Sequence, residues 1–278
     1  MSVIGYNSAA VNAAYYLNQN TAAQTSAIQE LASGSRIANA SNDAAGVAVS
    51  GQMTASIDQL GAAAQGAQDV ISFAQTTDGF LSTIQQQLTR MSELAQEATN
   101  GSFGSADRAN YATEFTALQT QINSITSSAK FNGTSLFSTT SGAPTSISVA
   151  IDSTGTTDSF TTATIGDTTS LGIGASACTI GTTTAAASAI GLLNTAITSL
   201  TQQRAAVNAS ISKFNFYVQN IQTESTNLQA ANSSIEDVDV ATESTQLAKE
   251  NILVQASSSM LAQANSSQNS LLTLLQGH

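Results

Sequence analysis

Tryptophan is absent from this 278-residue chain, and proline, cysteine and histidine occur once each. Each scarcity removes a class of function. The single cysteine, Cys178, can neither close an internal disulfide nor supply a thiolate metal cluster. The single histidine is the last residue, which leaves little for a Ser/His/Asp site. Charge is scarce as well: 9% of residues are Asp, Glu, Lys or Arg, against about 25% in an average soluble protein. Seven basic residues and a net charge of −11 argue against a nucleic-acid partner, whose phosphates are held by Lys and Arg. Long apolar runs are missing too. Breaks at Asn7, Asn12, Asn18, Gln19 and Asn20 exclude a membrane span, which needs about 20 mostly apolar residues. The same breaks, with no basic n-region, exclude a cleaved signal peptide.

What is present is uneven. Ser and Thr supply 75 residues and Ala 46. Residues 1–29 contain no charged side chain, and neither do residues 251–278. Disordered tails normally combine high charge with few large apolar residues. These ends instead carry Val11, Tyr15, Tyr16, Leu17, Ile28 and Leu31, then Ile252, Val254, Leu261, Leu271, Leu272, Leu274 and Leu275. A helix that is almost uncharged, yet too polar for lipid, suits burial against other protein on most of its surface.

Periodicity supplies an architecture. Met53, Ile57, Leu60, Ala64, Ala67, Ile71 and Ala74, then Leu81, Leu88, Met91, Leu94 and Ala98, alternate in steps of three and four, a coiled-coil-like seam interrupted at Asp78. A helix over 45–99 would be roughly 80 Å long. Tyr111, Phe115, Leu118, Ile122 and Ile125 predict a shorter helix of about 20 residues, reached through the turn residues Asn100-Gly101 and the N-cap stretch 104–107. Ile190, Leu193, Ile197 and Leu200, continued by Val207, Ile211, Phe214, Val218 and Ile221, mirror this pattern, with Arg204 at a polar seam position. A buried arginine there is expected to pair with a carboxylate or carbonyl. The last helix repeats at Leu247, Val254, Leu261, Gln268 and Leu275. The fold class is therefore mainly α: an elongated antiparallel helical bundle built from both chain ends, with a small β-rich central insert. That insert has no Lys or Arg, and its alternating pieces 146–151 and 160–165 predict strands, with turns at Asn132-Gly133 and Gly155. Its hydroxyls form a surface that could carry O-linked sugars.

No catalytic, cofactor or metal residues emerge, and the chain reads as a structural protein rather than an enzyme. Glu236, Asp237, Asp239 and Glu243 lack the alternating ligands and central glycine of a calcium loop. Asp239 is better placed as an N-cap, and Asp43 likewise starts a helix. Gly172 and Gly174 lack the third glycine of a dinucleotide loop, and Cys178 is expected to be an inert, partly buried thiol.

Residues 31–50, LASGSRIANASNDAAGVAVS, resemble bacterial flagellin, the subunit of the flagellar filament. The resemblance continues at residues 74–79 (AQTTDG), 88–95 (LTRMSELA), Asn100-Gly101, 131–133 (FNG) and 234–239 (SIEDVD), and closes with residues 260–275. It implies an inner coiled-coil domain at 1–40 and 242–278, a helical rod at 41–135 and 188–241, and a small β-rich surface segment at 136–187. Residues 33–46 match the spoke joining the first two, and large outer domains are missing. By this resemblance Leu17, Ile28, Leu31, Val254, Leu261 and Leu275 form the self-assembly interface. Gln24 and Gln268 are polar departures in the seams.

The implied function is a secreted, extracellular filament subunit for swimming motility, whose partners are copies of itself, an export chaperone, the filament cap and hook–filament junction proteins, with no nucleic acid and no membrane. Arg90, Leu94 and Glu114 match residues through which some flagellins contact a host Toll-like receptor, although Ser92 and Glu97 depart from that form. The rival readings are a hook–filament junction protein of the same superfamily and an extracellular adhesin.

Overall fold

In the computed structural model, residues 7–137, 146–161 and 167–276 are described, with side chains as far as residue 270. The chain forms five helices and two small hairpins among these residues: α1 (Ser8–Ser33), α2 (Ala44–Ala98), α3 (Ser105–Ser128), β1 (Lys130–Phe131), β2 (Thr134–Ser135), β3 (Ser146–Ala150), β4 (Thr157–Thr161), α4 (Thr183–Glu236) and α5 (Val240–Gln276). The mainly helical class and the small strand insert are as the sequence predicts. The helix starts are explained locally: Asp43 Oδ1 accepts the Gly46 N–H at 2.8 Å, and Asp239 Oδ1 accepts the Ala241 N–H at 3.0 Å.

The abundance of Ser and Thr is compatible with so much helix because the hydroxyls are satisfied along the helix. Thr76, Thr83, Thr116 and Thr201 each donate to the carbonyl four residues earlier. Buried Thr77 does the same to Phe73 at 2.9 Å.

The chain divides into two compact units, residues 1–55 with 227–278, and residues 56–226. The middle unit holds a continuous core. Leu81, Ile84, Leu88, Met91 and Leu94 of α2 are fully buried, as are Ile122 of α3 and Leu193, Leu200 and Phe214 of α4. Apart from Ile84, which fills the step between Leu81 and Leu88, these are the seam positions named from the three–four spacing. Arg204 on α4 forms a bidentate pair with Asp78 on α2, at 2.9 and 3.1 Å, and also donates to Gln85 Oε1 at 2.6 Å. The two polar interruptions of the seams are therefore partners. Gln119 of α3 is buried and donates to the Ile173 and Cys178 carbonyls, fastening the irregular 167–180 stretch to the helices. Cys178 itself is buried, and burial pushes its thiol up to about 11.

The insert corrects one expectation. The second strand is Thr157–Thr161, earlier than the predicted 160–165, and residues 162–166 lie outside those described. The turn decides this register. Gly155 has φ 83°, and the Asp152 carboxylate accepts the Thr154 and Thr156 N–H groups at 2.8 and 2.9 Å. Ile147 then pairs with Phe160, whose buried ring meets Phe73 of α2 edge-on at 5.8 Å. The hairpin lies so near α2 that a Cβ on Gly66 would come within 2.5 Å of Val149.

Candidate assembly surface

The terminal unit is built from α1 and α5 with the adjoining ends of α2 and α4. Asn7 caps α1 through its carbonyl oxygen, accepting the Ala10 N–H at 3.1 Å, while its amide nitrogen donates to the Ala264 carbonyl on α5 at 3.0 Å. Asn20 donates to Ser257 at 2.8 Å, and Gln24 donates to Asn251. Rising numbers on α1 meet falling numbers on α5, so the two helices run antiparallel.

The seam of this pair is thin and polar. On α5 the half-buried or buried positions are Glu243, Leu247, Glu250, Val254, Ser257, Leu261, Ala264 and Gln268, a heptad register with a large apolar residue at no more than every second step. On α1 the matching face is Ala10, Ala13, Leu17, Asn20, Gln24, Ala27 and Leu31. Ala27 is the one buried apolar side chain of the unit among the described residues. Glu250 is 5% exposed and accepts a bond from Gln246 at 2.6 Å. Partial desolvation, followed by the carboxylate of Glu30, raises the Glu243 carboxyl above its ordinary value.

Beyond α1, the stretch 34–46 is tied back by its main chain. Arg36 N–H donates to the Glu236 carbonyl at 2.7 Å, and Val238 N–H donates to that of Gly34 at 3.0 Å. Ser50 adds a bond to the Glu236 carboxylate at 2.9 Å. A Cβ on Gly46 would press on the Asp43 carboxylate and come within 2.8 Å of Ile37, so both side chains would have to shift.

The large apolar side chains left outside this seam define the surface. Val11, Tyr15, Tyr16 and Ile28 on α1 are 48–65% exposed, and Ile252, Leu253 and Met260 on α5 are 36–68% exposed. Val47, Val49 and Val240 are also exposed, so the terminal unit holds every exposed large apolar residue among those described except Phe216. Isolated exposed apolar side chains are ordinary; their concentration on one unit marks a contact surface.

Of the residues that the sequence nominates for assembly, Leu17, Leu31, Val254 and Leu261 are half-buried in the seam, and Ile28 faces outward at 49% exposure. The side chain of Leu275 lies outside the described residues. Leu253 and Met260 are missed by the heptad argument. They repeat at a spacing of seven, one position before the seam residues Val254 and Leu261, and that parallel stripe was the signal for them. Arg90 and Glu114 are exposed and bonded to each other at 2.9 Å, with Glu93 also on Arg90, whereas Leu94 is fully buried. Among the described residues no helix is long and apolar enough to cross a membrane, and no three His, Cys, Asp or Glu side chains are gathered as a metal ion needs.

A mainly helical chain that pairs its two ends and turns apolar side chains outward from that pair is a self-associating structural subunit. Comparison with known proteins makes the class specific. Residues 4–142 match the bacterial flagellin N-terminal helical region, and residues 190–275 match the bacterial flagellin C-terminal helical region. Flagellin FlaB2 of Treponema pallidum is 34% identical over 99% of this chain and 100% of its own length. The flagellin of Listeria monocytogenes is 32% identical over 94% of both chains. The crystal structure of Bacillus cereus flagellin covers 60% of this chain and 94% of its own, with a TM-score of 0.49 and 28% identity. The chain belongs to the bacterial flagellin family. It is a structural subunit of the extracellular flagellar filament, a homopolymer that serves swimming motility.

Proposed function

We propose that polymerisation is driven by the terminal unit. In this reading residues 1–40 and 242–278 form the inner coiled-coil domain, residues 41–135 and 188–241 the rod, and residues 136–187 a small surface segment. Leu17, Leu31, Val254 and Leu261 hold the two ends together, while Ile28, with Tyr15, Ile252 and Met260, is buried against neighbouring copies. The observation that carries this is the concentration of exposed large apolar side chains on α1 and α5. Their burial supplies about 1.5–3 kcal/mol for each large side chain, and the contact is heterologous, so that it repeats without closing.

The same surface, needing cover before assembly, suits an export chaperone, and the growing and basal ends of the polymer suit the filament cap and the hook–filament junction proteins. Receptor contact at the Arg90 patch would fall to Arg90 and Glu114, since Leu94 is buried. The reading gives the chain no enzymatic role. The test is growth from filament seeds by the Ile252→Asn and Tyr15→Ser variants. Growth should require roughly ten- to a hundredfold more monomer. Unchanged growth by both variants would overturn the reading.

A further inference from the structure

The chain contains two Asn–Gly pairs, Asn100-Gly101 and Asn132-Gly133, and the structure treats them very differently. Asn100 sits in the exposed turn between α2 and α3. Its main chain is held on both sides: its N–H donates to the Glu97 carbonyl at 3.1 Å, and its carbonyl accepts the Phe103 N–H at 3.3 Å. Its side-chain oxygen accepts two bonds from one residue, the Ser102 N–H at 3.0 Å and the Ser102 hydroxyl at 2.5 Å. The Gly101 N–H donates to no described acceptor. A polarised amide carbonyl and an unengaged main-chain nitrogen therefore adjoin each other, with no side chain on Gly101 to obstruct closure.

We propose that Asn100-Gly101 is a self-modifying site that converts Asn100 to aspartate and isoaspartate through a cyclic imide, with Ser102 as its positioning residue. The Gly101 nitrogen gives up its proton to water and attacks Cγ of Asn100. Negative charge develops on Oδ1, where the two Ser102 donors already point, in the manner of an oxyanion hole. The Cγ–Nδ2 bond breaks, and the nitrogen takes up a proton and leaves as ammonia. One water then opens the five-membered imide at either carbonyl, giving an aspartyl or an isoaspartyl link. The product adds a carboxylate to the α2–α3 turn, and the isoaspartyl form lengthens the main chain there by one methylene.

Asn132 supplies the internal control. It occupies a two-residue hairpin turn at φ 46°, flanked by the Phe131–Thr134 ladder pair, and among the described residues no donor reaches its side-chain oxygen. Its side-chain carbonyl is therefore not polarised by a neighbour as that of Asn100 is.

The experiment incubates the full chain in mildly alkaline buffer and follows the tryptic peptides Met91–Arg108 and Phe131–Arg204 by mass spectrometry. Enzymatic methyl-labelling of isoaspartate is the second readout. Asn100 should convert about tenfold faster than Asn132. Ser102→Ala should slow conversion at Asn100 roughly three- to tenfold, the turn being open to water, and leave Asn132 unchanged. Gly101→Ala should slow Asn100 further. All three positions are exposed, so an unchanged circular dichroism spectrum is the folding check. Conversion at Asn132 that equals or exceeds that at Asn100, or an unchanged Asn100 rate in Ser102→Ala, would overturn the proposal.

Discussion

The two compact units are made from similar residues and put them to opposite uses. In residues 56–226 the seam leucines, isoleucines and phenylalanines are buried within the chain, and every ion pair among the described residues lies there. In residues 1–55 and 227–278 large apolar residues alternate in the seam with Ala, Asn, Gln, Ser and Glu, and the large apolar side chains outside the seam point outward. On the proposed reading, stability of the first unit is intrinsic, whereas the second is completed by other copies. A subunit that must stay monomeric until it reaches the end of a filament needs this division. Were the terminal seam as apolar as the middle one, the ends would be self-sufficient and little would remain to drive association.

The comparison can be broken most directly by removing one side of it. Deleting residues 1–40 and 242–278 should abolish seeded polymerisation while the middle unit keeps a cooperative thermal transition; filaments from that chain would end the account. Phe214→Ala, in the middle core, should cost about 3–5 kcal/mol of monomer stability in denaturant titration. Ile252→Asn should change monomer stability by no more than about 0.5 kcal/mol, and its effect should be confined to the polymer. Arg204→Ala, which breaks the half-buried pair with Asp78, should cost about 1–2 kcal/mol.

The smallest effect is a divergence with pH. The Arg204 guanidinium holds Asp78 below the ordinary aspartate value, so its contribution is present above that value and is lost as pH falls through the lowered one. Glu243 is raised by desolvation and by Glu30, so its contribution is fully present below the ordinary glutamate value and is lost as pH rises through the raised one. Mild acidification from neutral should therefore raise the protection factors of α1 and α5, with exchange corrected for the intrinsic pH dependence of the amides, before stronger acid loosens the middle unit. Protection factors that fall in both units together would contradict the assignment.

Much of this was legible in the sequence because helical seams are local patterns. The three–four spacing predicts α2 over 45–99 and the structure has it over 44–98, and the residues before α2 and α5 are the carboxylates that cap them. Pairings across the chain were less accessible. Asp78 and Arg204 each stand out as a polar seam position, yet only the fold shows that each answers the other across 126 residues. Leu94 illustrates a different limit, because a motif match says nothing about accessibility and this leucine is fully buried. The start of the second strand, at Thr157 rather than 160, was missed because its register is set by the Asp152 carboxylate and Gly155, not by the alternation of apolar residues. On the assembly surface, heptad counting found the seam that pairs α1 with α5. It did not find the second stripe at Leu253 and Met260, since a seam argument asks which residues face one partner.

The central claim is that the terminal helices are incomplete until copies meet. Hydrogen–deuterium exchange on monomer and on filament measures this region by region. The account predicts fast exchange across residues 8–33 and 240–276 in the monomer and strong protection of both in the filament, with residues 56–226 little changed. Terminal helices already as protected in the monomer as the middle unit, with no gain on polymerisation, would contradict it.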